Sequence, residues 1–481
     1  MSTPVRFPQV KKLATPDEIR GRADELNVAL SFDDDVAADG PLSTTYEVSD
    51  ASTGRRTVGN RFAILPMEGW DATTDGAPTD LVERRWRRFG EGGAKLIWGE
   101  ATAVVSEGRA NPRQLVMAPA TAEAIGALRA SMVGAHRERF GTTDDLVVGL
   151  QLTHSGRWCR PLGALTPLVA YEHPLLANRS PGAVVLSDAE LFALIDRYVD
   201  AAVLAESCGF DFVDVKHCHG YLLHELLSAY DRPGPFGGSF ENRTRFFRLV
   251  VEGIRARAPG LSVALRLSVF DFGPFAAGDE RVGVPEFSDS YRYAFGGDGT
   301  GSGIDLTEAH AVMDLCRELG IGLVSVTAGS PYYNPHIQRP AYFPPSDGYL
   351  PPEDPLVGVA RMLDATGQLQ VAHPDLAIVA GGMSYLQDWI AHAGQALVRE
   401  GATTAIGLGR MALSYPDLPA DVLAGRPLQR QRVCRTLSDC TTAPRHGLVS
   451  GCYPLDDFYK ERPERAELAT IKRSLRSPDT L

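Results

Sequence analysis

Several things are missing from this 481-residue chain, and each absence closes off a class of protein. No apolar run approaches the length needed to cross a bilayer, which argues against a membrane-spanning protein. The opening residues, MSTPVRFPQVKKLATPDEIR, hold no apolar core segment, so they do not read as a secretory leader. Positive charge is in deficit: 48 Lys and Arg against 60 Asp and Glu leave a net charge of −12. An acidic surface does not attract nucleic acid or an anionic membrane, so neither is expected as a partner. Cysteine is sparse and odd in number, seven in all, which fits reduced thiols and a cytoplasmic protein rather than a disulfide framework. No repeat is found beyond an alternation of β-rich and amphipathic runs. No G-x-G-x-x-G follows a strand, which removes a Rossmann dinucleotide fold.

An apolar fraction of 44% and this length suffice for a large core. From Asn60 onward, short apolar runs alternate with longer amphipathic ones. The predicted strands are Arg61–Pro66, Lys95–Gly99, Leu146–Leu152, Phe212–Lys216, Ser262–Leu267, Gly322–Thr327, Leu376–Ala380 and Thr404–Gly409. Helical patterns such as Ala189–Glu206 and Phe240–Arg257 separate them. Two helix starts carry capping-box spacing, Ser187-x-x-Glu190 and Asp305-x-x-Glu308. Eight near-continuous apolar strands alternating with helices predict a closed parallel α/β barrel, the (β/α)8 or TIM fold. The chain divides into an N-terminal extension (1–58) that wraps the barrel, the barrel itself (59–425) and a short C-terminal tail (426–481) packed on it. Insertions at 157–186, 268–304 and 328–354 all follow strand C-termini. All three are therefore expected to crown the barrel mouth as lids or substrate walls.

The stretch Asp211–Arg245, DFVDVKHCHGYLLHELLSAYDRPGPFGGSFENRTR, organises the rest. It begins as a buried strand and ends in a helix. Lys216, His217, Cys218, His219 and Tyr221 crowd the strand's C-terminal end, where a barrel of this kind places its chemistry. The run HGYLLHELLS…GGSFENRTRF resembles the fourth-strand segment of the old yellow enzyme family, FMN-dependent barrel oxidoreductases. Further motifs carry the resemblance in the family's order, over roughly Asn60 to Pro416.

In NRFAILPMEGW, Pro66 and Met67 match the strand that runs under the flavin. Glu68 stands where the family usually has a small polar or thiol residue. Ionised, it would oppose a reduced anionic flavin; protonated, it could donate a hydrogen bond; or it could turn away to an arginine. Ala101 matches the small residue that lets the flavin lie close. In QLTHSGR, Gln151 matches the amide that pairs with the pyrimidine edge, to which it offers both donor and acceptor. His219 and Tyr221 match the oxyanion ligand and the proton donor, while Lys216 replaces the family's first histidine and brings a full charge. Core packing is the expectation for His217 and Cys218. In ALRLS, Arg266 matches the cation near flavin N1. VAGGM with Gly381 and Gly382, and GLGR with Gly409 and Arg410, resemble the phosphate turns, where glycines admit backbone amides and an arginine adds charge.

Cys434, Cys440 and Cys452 fall where a subgroup, the dienoyl-CoA reductase and amine dehydrogenase type, binds a four-iron cluster. Leu437 takes the subgroup's second ligand position, so unligated thiols and no iron–sulfur cluster are the expectation. The resemblance thus implies FMN as cofactor and NAD(P)H as reductant. Hydride would pass through flavin N5 to an α,β-unsaturated carbonyl or related acceptor, a small-molecule substrate. A dehydrogenase or demethylase of the subgroup type is the alternative. A lyase using Lys216 as a Schiff base, and a flavin-binding partner subunit without activity, explain fewer residues. Substrate, nicotinamide preference and homo-oligomer formation stay open.

Overall fold

A computed structural model describes residues 7–288 and 290–475. The eight strand segments read from the sequence form one closed parallel barrel in chain order. They are β1 (Phe62–Ile64), β2 (Leu96–Ala103), β3 (Val147–Thr153), β4 (Phe212–His217), β5 (Ser262–Ser268), β6 (Leu323–Thr327), β7 (Ala377–Ala380) and β8 (Ala405–Leu408). The helices that cover them are α1 (Asp80–Glu91), α2 (Ala122–Phe140), α3 (Asp188–Ser207), α4 (Phe240–Arg257), α5 (Thr307–Glu318), α6 (Pro355–Ala372) and α7 (Ile390–Arg399). The strands are buried along their whole length because helices cover one face and the barrel interior the other.

Register places the chemistry. Gln151 pairs with Asp214 between β3 and β4, and Lys216 pairs with Arg266 between β4 and β5. Side chains two apart on a strand share a face. One end of the barrel interior is thereby polar. Strand β2 is irregular between Trp98 and Ala101. A bulge re-aims side chains; here Trp98 fills the barrel floor, Glu100 faces Arg85 of α1, and Ala101 faces the mouth.

The first 58 residues contain a helix, Pro16–Glu25, started by a full capping box from Thr15 and Glu18. They also contain an antiparallel hairpin, Tyr46–Asp50 with Gly54–Val58. Tyr46, Val48 and Val58 of that hairpin pack into the floor beside Trp98, Phe212 and Leu65. This apolar plug was not legible as a hairpin in the sequence.

Two expectations need correction. Ser187 and Glu190 form the reciprocal box at the start of α3, but Asp305 and Glu308 do not. Asp305 accepts from the amide and hydroxyl of Thr307, and Glu308 is taken by Arg243 of α4 and Tyr230. A charged guanidinium is the stronger claimant on a carboxylate than an exposed amide. The second concerns the insertions. Those at 157–186 and 328–354 line the central cavity, whereas among the described residues the insertion at 268–304 contributes none of its lining. It acts from behind: Asp271 accepts from Tyr333 at 2.5 Å and from Asn334 at 2.7 Å, which braces the loop after β6.

Candidate active site

A cavity of about 660 Å³ opens at the C-terminal end of the barrel, within the size range of small-molecule sites, roughly 300–1,000 Å³. Pro66, Met67, Glu68, Ala101, Gln151, Lys216, His219, Tyr221, Arg266, Gly382, Gly409 and Arg410 all face it. Of the predicted flavin and substrate positions, Gly381 lies behind the lining, where a Cβ would strike the Val326 carbonyl.

The turn after β4 is what aims Tyr221. His219 (φ 68°) and Gly220 (φ 73°) are consecutive left-handed residues, so the chain reverses within two positions. Gly220 is required twice over, by its φ and because a Cβ would sit 2.9 Å from Ser330 Oγ and the Tyr333 ring. The strained His219 backbone is held from both sides, its amide donating to Ser268 Oγ at 3.1 Å and its carbonyl accepting from Ser330 at 2.9 Å. Trp158 Nε1 donates to the Gly220 carbonyl at 3.0 Å. The His219 ring lies 3.2 Å from both Thr327 Oγ1 and Gln338 Nε2. Burial and the nearby cations Arg266 and Lys216 hold this imidazole well below its usual range, so it enters the cavity neutral.

Lys216 places its ammonium 3.7 Å from the centroid of the Tyr221 ring, a cation–π contact. Burial lowers its pKa, opposed by Cys218, Glu68 and Asp214. Tyr221 OH donates to Glu68 Oε2 at 2.7 Å and lies 3.0 Å from Tyr332 OH. Tyr332 stacks on Trp158 with ring centroids 4.4 Å apart. Glu68 does not turn away to an arginine. Arg85, which borders a small cavity together with Glu68, is occupied by Asp71 (2.5 Å) and Glu100 (2.6 Å). Burial pushes Glu100 up to about 7 despite that pairing.

At the opposite wall Gln151 Nε2 donates to Asp214 at 2.6 Å, which leaves its carbonyl and second N–H for a ligand. Burial raises Asp214 to about 6. Arg266 donates through Nη1 to the Pro66 carbonyl at 2.9 Å, and its buried Nε has no partner among the described residues. Arg410 donates through Nη2 to the Pro340 carbonyl at 2.8 Å, and its buried Nη1 is likewise unpartnered. A buried N–H without an acceptor costs stability unless a ligand satisfies it. Gly409 has open space where a Cβ would stand. Unpartnered guanidinium donors, an open glycine turn and a free amide edge fit the phosphate and ring of a flavin mononucleotide.

Other wall residues carried no sequence signal of their own. Tyr332, Gln338 and Arg339 come from the loop after β6; Thr441 and Arg445 come from the tail. Arg339 donates to Thr441 Oγ1 at 2.6 Å, so loop and tail meet at the cavity rim. Burial beside Arg445 and Arg410 drops Arg339 to about 9. The loop's crowding with Pro, Tyr and Asn was the only hint to these positions. His217 and Cys218 are core residues: His217 Nδ1 lies 2.9 Å from the Val215 carbonyl, and Cys218 is fully buried. Cys440 borders the cavity while Cys434 and Cys452 are buried behind it. Among the described residues no group of three or more His, Cys, Asp and Glu is placed to hold a metal ion. Among the described residues no helix is long and apolar enough to cross a membrane.

Residues 52–279 match the family model described as NADH:flavin oxidoreductase / NADH oxidase. The NADPH dehydrogenase of Geobacillus sp. (strain WCH70) is 30% identical over 227 residues, which is 45% of this chain and 62% of that protein. The chain thus spans less than two thirds of that relative's length. Two solved structures share the fold. A 2-naphthoyl-CoA reductase complex superposes with a TM-score of 0.66 at 16% identity, covering 89% of this chain and 58% of that one. An old yellow enzyme homologue from Zymomonas mobilis gives 0.56 at 21% identity, covering 81% and 94%.

Proposed function

We propose, from the membership of residues 52–279 in the NADH:flavin oxidoreductase / NADH oxidase family, that this chain is an FMN-dependent oxidoreductase that reduces an α,β-unsaturated carbonyl or related electron-poor acceptor with NAD(P)H. The barrel, residues 59–425, would carry the site, and the tail, 426–481, one wall of it. FMN, when bound, supplies hydride transfer from the nicotinamide to the acceptor's β-carbon. The chain's own residues bind, orient and handle protons. Arg410 and the turns at Gly382 and Gly409 hold the phosphate, and Gln151 pairs with the pyrimidine edge. Arg266 places a fixed cation where negative charge develops. Lys216 and His219 hold the acceptor's oxygen, Lys216 as a charged donor and His219 as a neutral one. Tyr221 protonates the α-carbon. Loops 157–186 and 328–354 narrow the mouth and exclude water.

The observation that carries this reading is that Gln151, Arg266, Gly382, Gly409 and Arg410 line one cavity, with Arg266 Nε and Arg410 Nη1 buried and without a partner among the described residues. A Schiff-base lyase would leave both without a purpose. The test is direct. The purified protein should be yellow and release FMN on denaturation. Arg410→Ala should weaken FMN retention about ten- to a hundredfold, the worth of one charge-assisted contact, with little loss of folding stability. A protein that takes up no FMN ends the proposal. A variant that retains flavin like the parent ends the phosphate assignment.

A further inference from the structure

We infer that the acceptor carries a carboxylate, which docks on the guanidinium of Arg339 at the rim of the cavity, with Arg445 and Arg160 beside it. The inference rests on the reading of the cavity as a flavin-dependent reductase site and names the class of acceptor.

In a chain of net charge −12 the cavity reverses the sign, which draws anions toward it. Among the described residues seven Lys and Arg side chains line it against two carboxylates, Glu68 and Asp347. Lys216, Arg266 and Arg410 already have roles in the proposed reaction. Arg179 is paired with Glu286, and Arg445 lies 3.3 Å from Asp347. Arg339 and Arg160 meet no carboxylate among the described residues. Arg339 shows which ligand the cluster suits. Its Nη1 donates to Thr441 Oγ1 at 2.6 Å, while Nε and Nη2 are buried and without a partner among the described residues. Those two nitrogens form one edge of the guanidinium, whose parallel N–H bonds match the paired oxygens of a carboxylate. Burial, then Arg445 and Arg410, lower Arg339 to about 9, so it still carries its charge at neutral pH. Cations drawn together in this way repel one another, and a bound carboxylate relieves that repulsion.

The cluster flanks the reacting groups. Gln338, next to Arg339 in the chain, places its Nε2 3.2 Å from Nε2 of His219. Arg445 Nη2 donates to the Pro331 carbonyl at 3.1 Å, beside Tyr332, whose hydroxyl is 3.0 Å from that of Tyr221. Arg445 and Arg160 both act on the Tyr332 phenol through their charge. An acceptor whose carbonyl is held by Lys216 and His219 therefore has guanidinium groups next to its remaining substituents. The three arginines come from three separate segments, the 157–186 insertion, the loop after β6 and the tail, and they meet at this one rim. Arg410 donates to the Pro340 carbonyl of the same loop, so the flavin phosphate is the rival occupant of Arg339.

The test compares cyclohexenones bearing a carboxylate on tethers of graded length with the methyl esters of the same compounds, using FMN-loaded enzyme and NAD(P)H. The parent should favour the best acid over its ester by about ten- to a hundredfold in kcat/KM, the worth of one charge-assisted contact. Arg339→Gln should lose most of that preference through a higher KM for the acid, and should retain FMN. Arg160→Gln should lose a smaller part of it. The ratio is internal to each protein, so a variant that folds poorly still reports it. By calorimetry, the saturated ketone of the preferred acid, which accepts no hydride, should bind the FMN-loaded parent about tenfold or more tighter than its ester. Equal turnover of acid and ester at every tether length overturns the inference. So does an Arg339→Gln protein that keeps the preference, or one that loses FMN, which would assign Arg339 to the flavin phosphate. If the parent reduces neither acid nor ester, it is the proposed function that fails.

Discussion

At the floor of the barrel Trp98 and Phe212 meet edge to face at 5.0 Å beneath the 46–58 hairpin. A few residues farther toward the mouth, Gln151, Lys216 and Arg266 put amide and charge into the cavity, with Asp214 held behind Gln151. The floor is closed by apolar and aromatic side chains, and its unpartnered buried atoms include the neutral Trp98 Nε1 and Tyr46 OH. The mouth carries a lysine and two arginines whose charge the protein alone does not fully satisfy. Burial of apolar surface stabilises, whereas unpartnered buried donors destabilise. One end of each strand therefore holds the fold, and the other spends some of that stability on a site awaiting a ligand.

That contrast can be broken from either side. The largest expected effect is at the floor. Phe212→Ala removes a ring from a fully packed layer and should cost about 3–5 kcal/mol in denaturant unfolding. Flavin content in the surviving folded fraction should not change. An equal loss of flavin affinity would mean that floor and mouth are not separable. At the mouth, Lys216→Met should weaken phenolate binding to the flavin-loaded protein by about ten- to a hundredfold, equivalent to roughly 1.5–3 kcal/mol. Its unfolding midpoint should stay level or rise, since the change removes a buried ammonium. A clear drop in stability would assign Lys216 to the scaffold instead. The smallest effect belongs to neither end. Ser187→Ala deletes the cap of α3 and should cost about 1 kcal/mol, with flavin binding unaltered.

The same comparison explains what could be read in advance. Strand positions were legible to within two residues at most boundaries because β3, β4 and β5 are short runs rich in Val and Leu, interrupted by polar residues such as Gln151, Asp214, Lys216 and Arg266. Two capping patterns looked alike in sequence, yet only Ser187–Glu190 became a box. Arg243, more than sixty residues away in the chain, claimed Glu308. No local pattern reports a distant competitor. Likewise the 46–58 hairpin looked polar because its exposed face alternates with the residues that plug the floor.

The chain's own order of residues determined the strand and helix segments of the barrel and the His219–Gly220 turn that presents Tyr221. These follow from side-chain periodicity and local backbone limits, which act over a few residues. Tertiary structure alone decided the rest. It set Glu68 on Tyr221 rather than on an arginine, added Tyr332 to the same phenol, and brought Thr441 and Arg445 from the tail to the rim. Each of those contacts joins segments far apart in sequence, and only the closed barrel brings them within hydrogen-bonding or wall-forming distance.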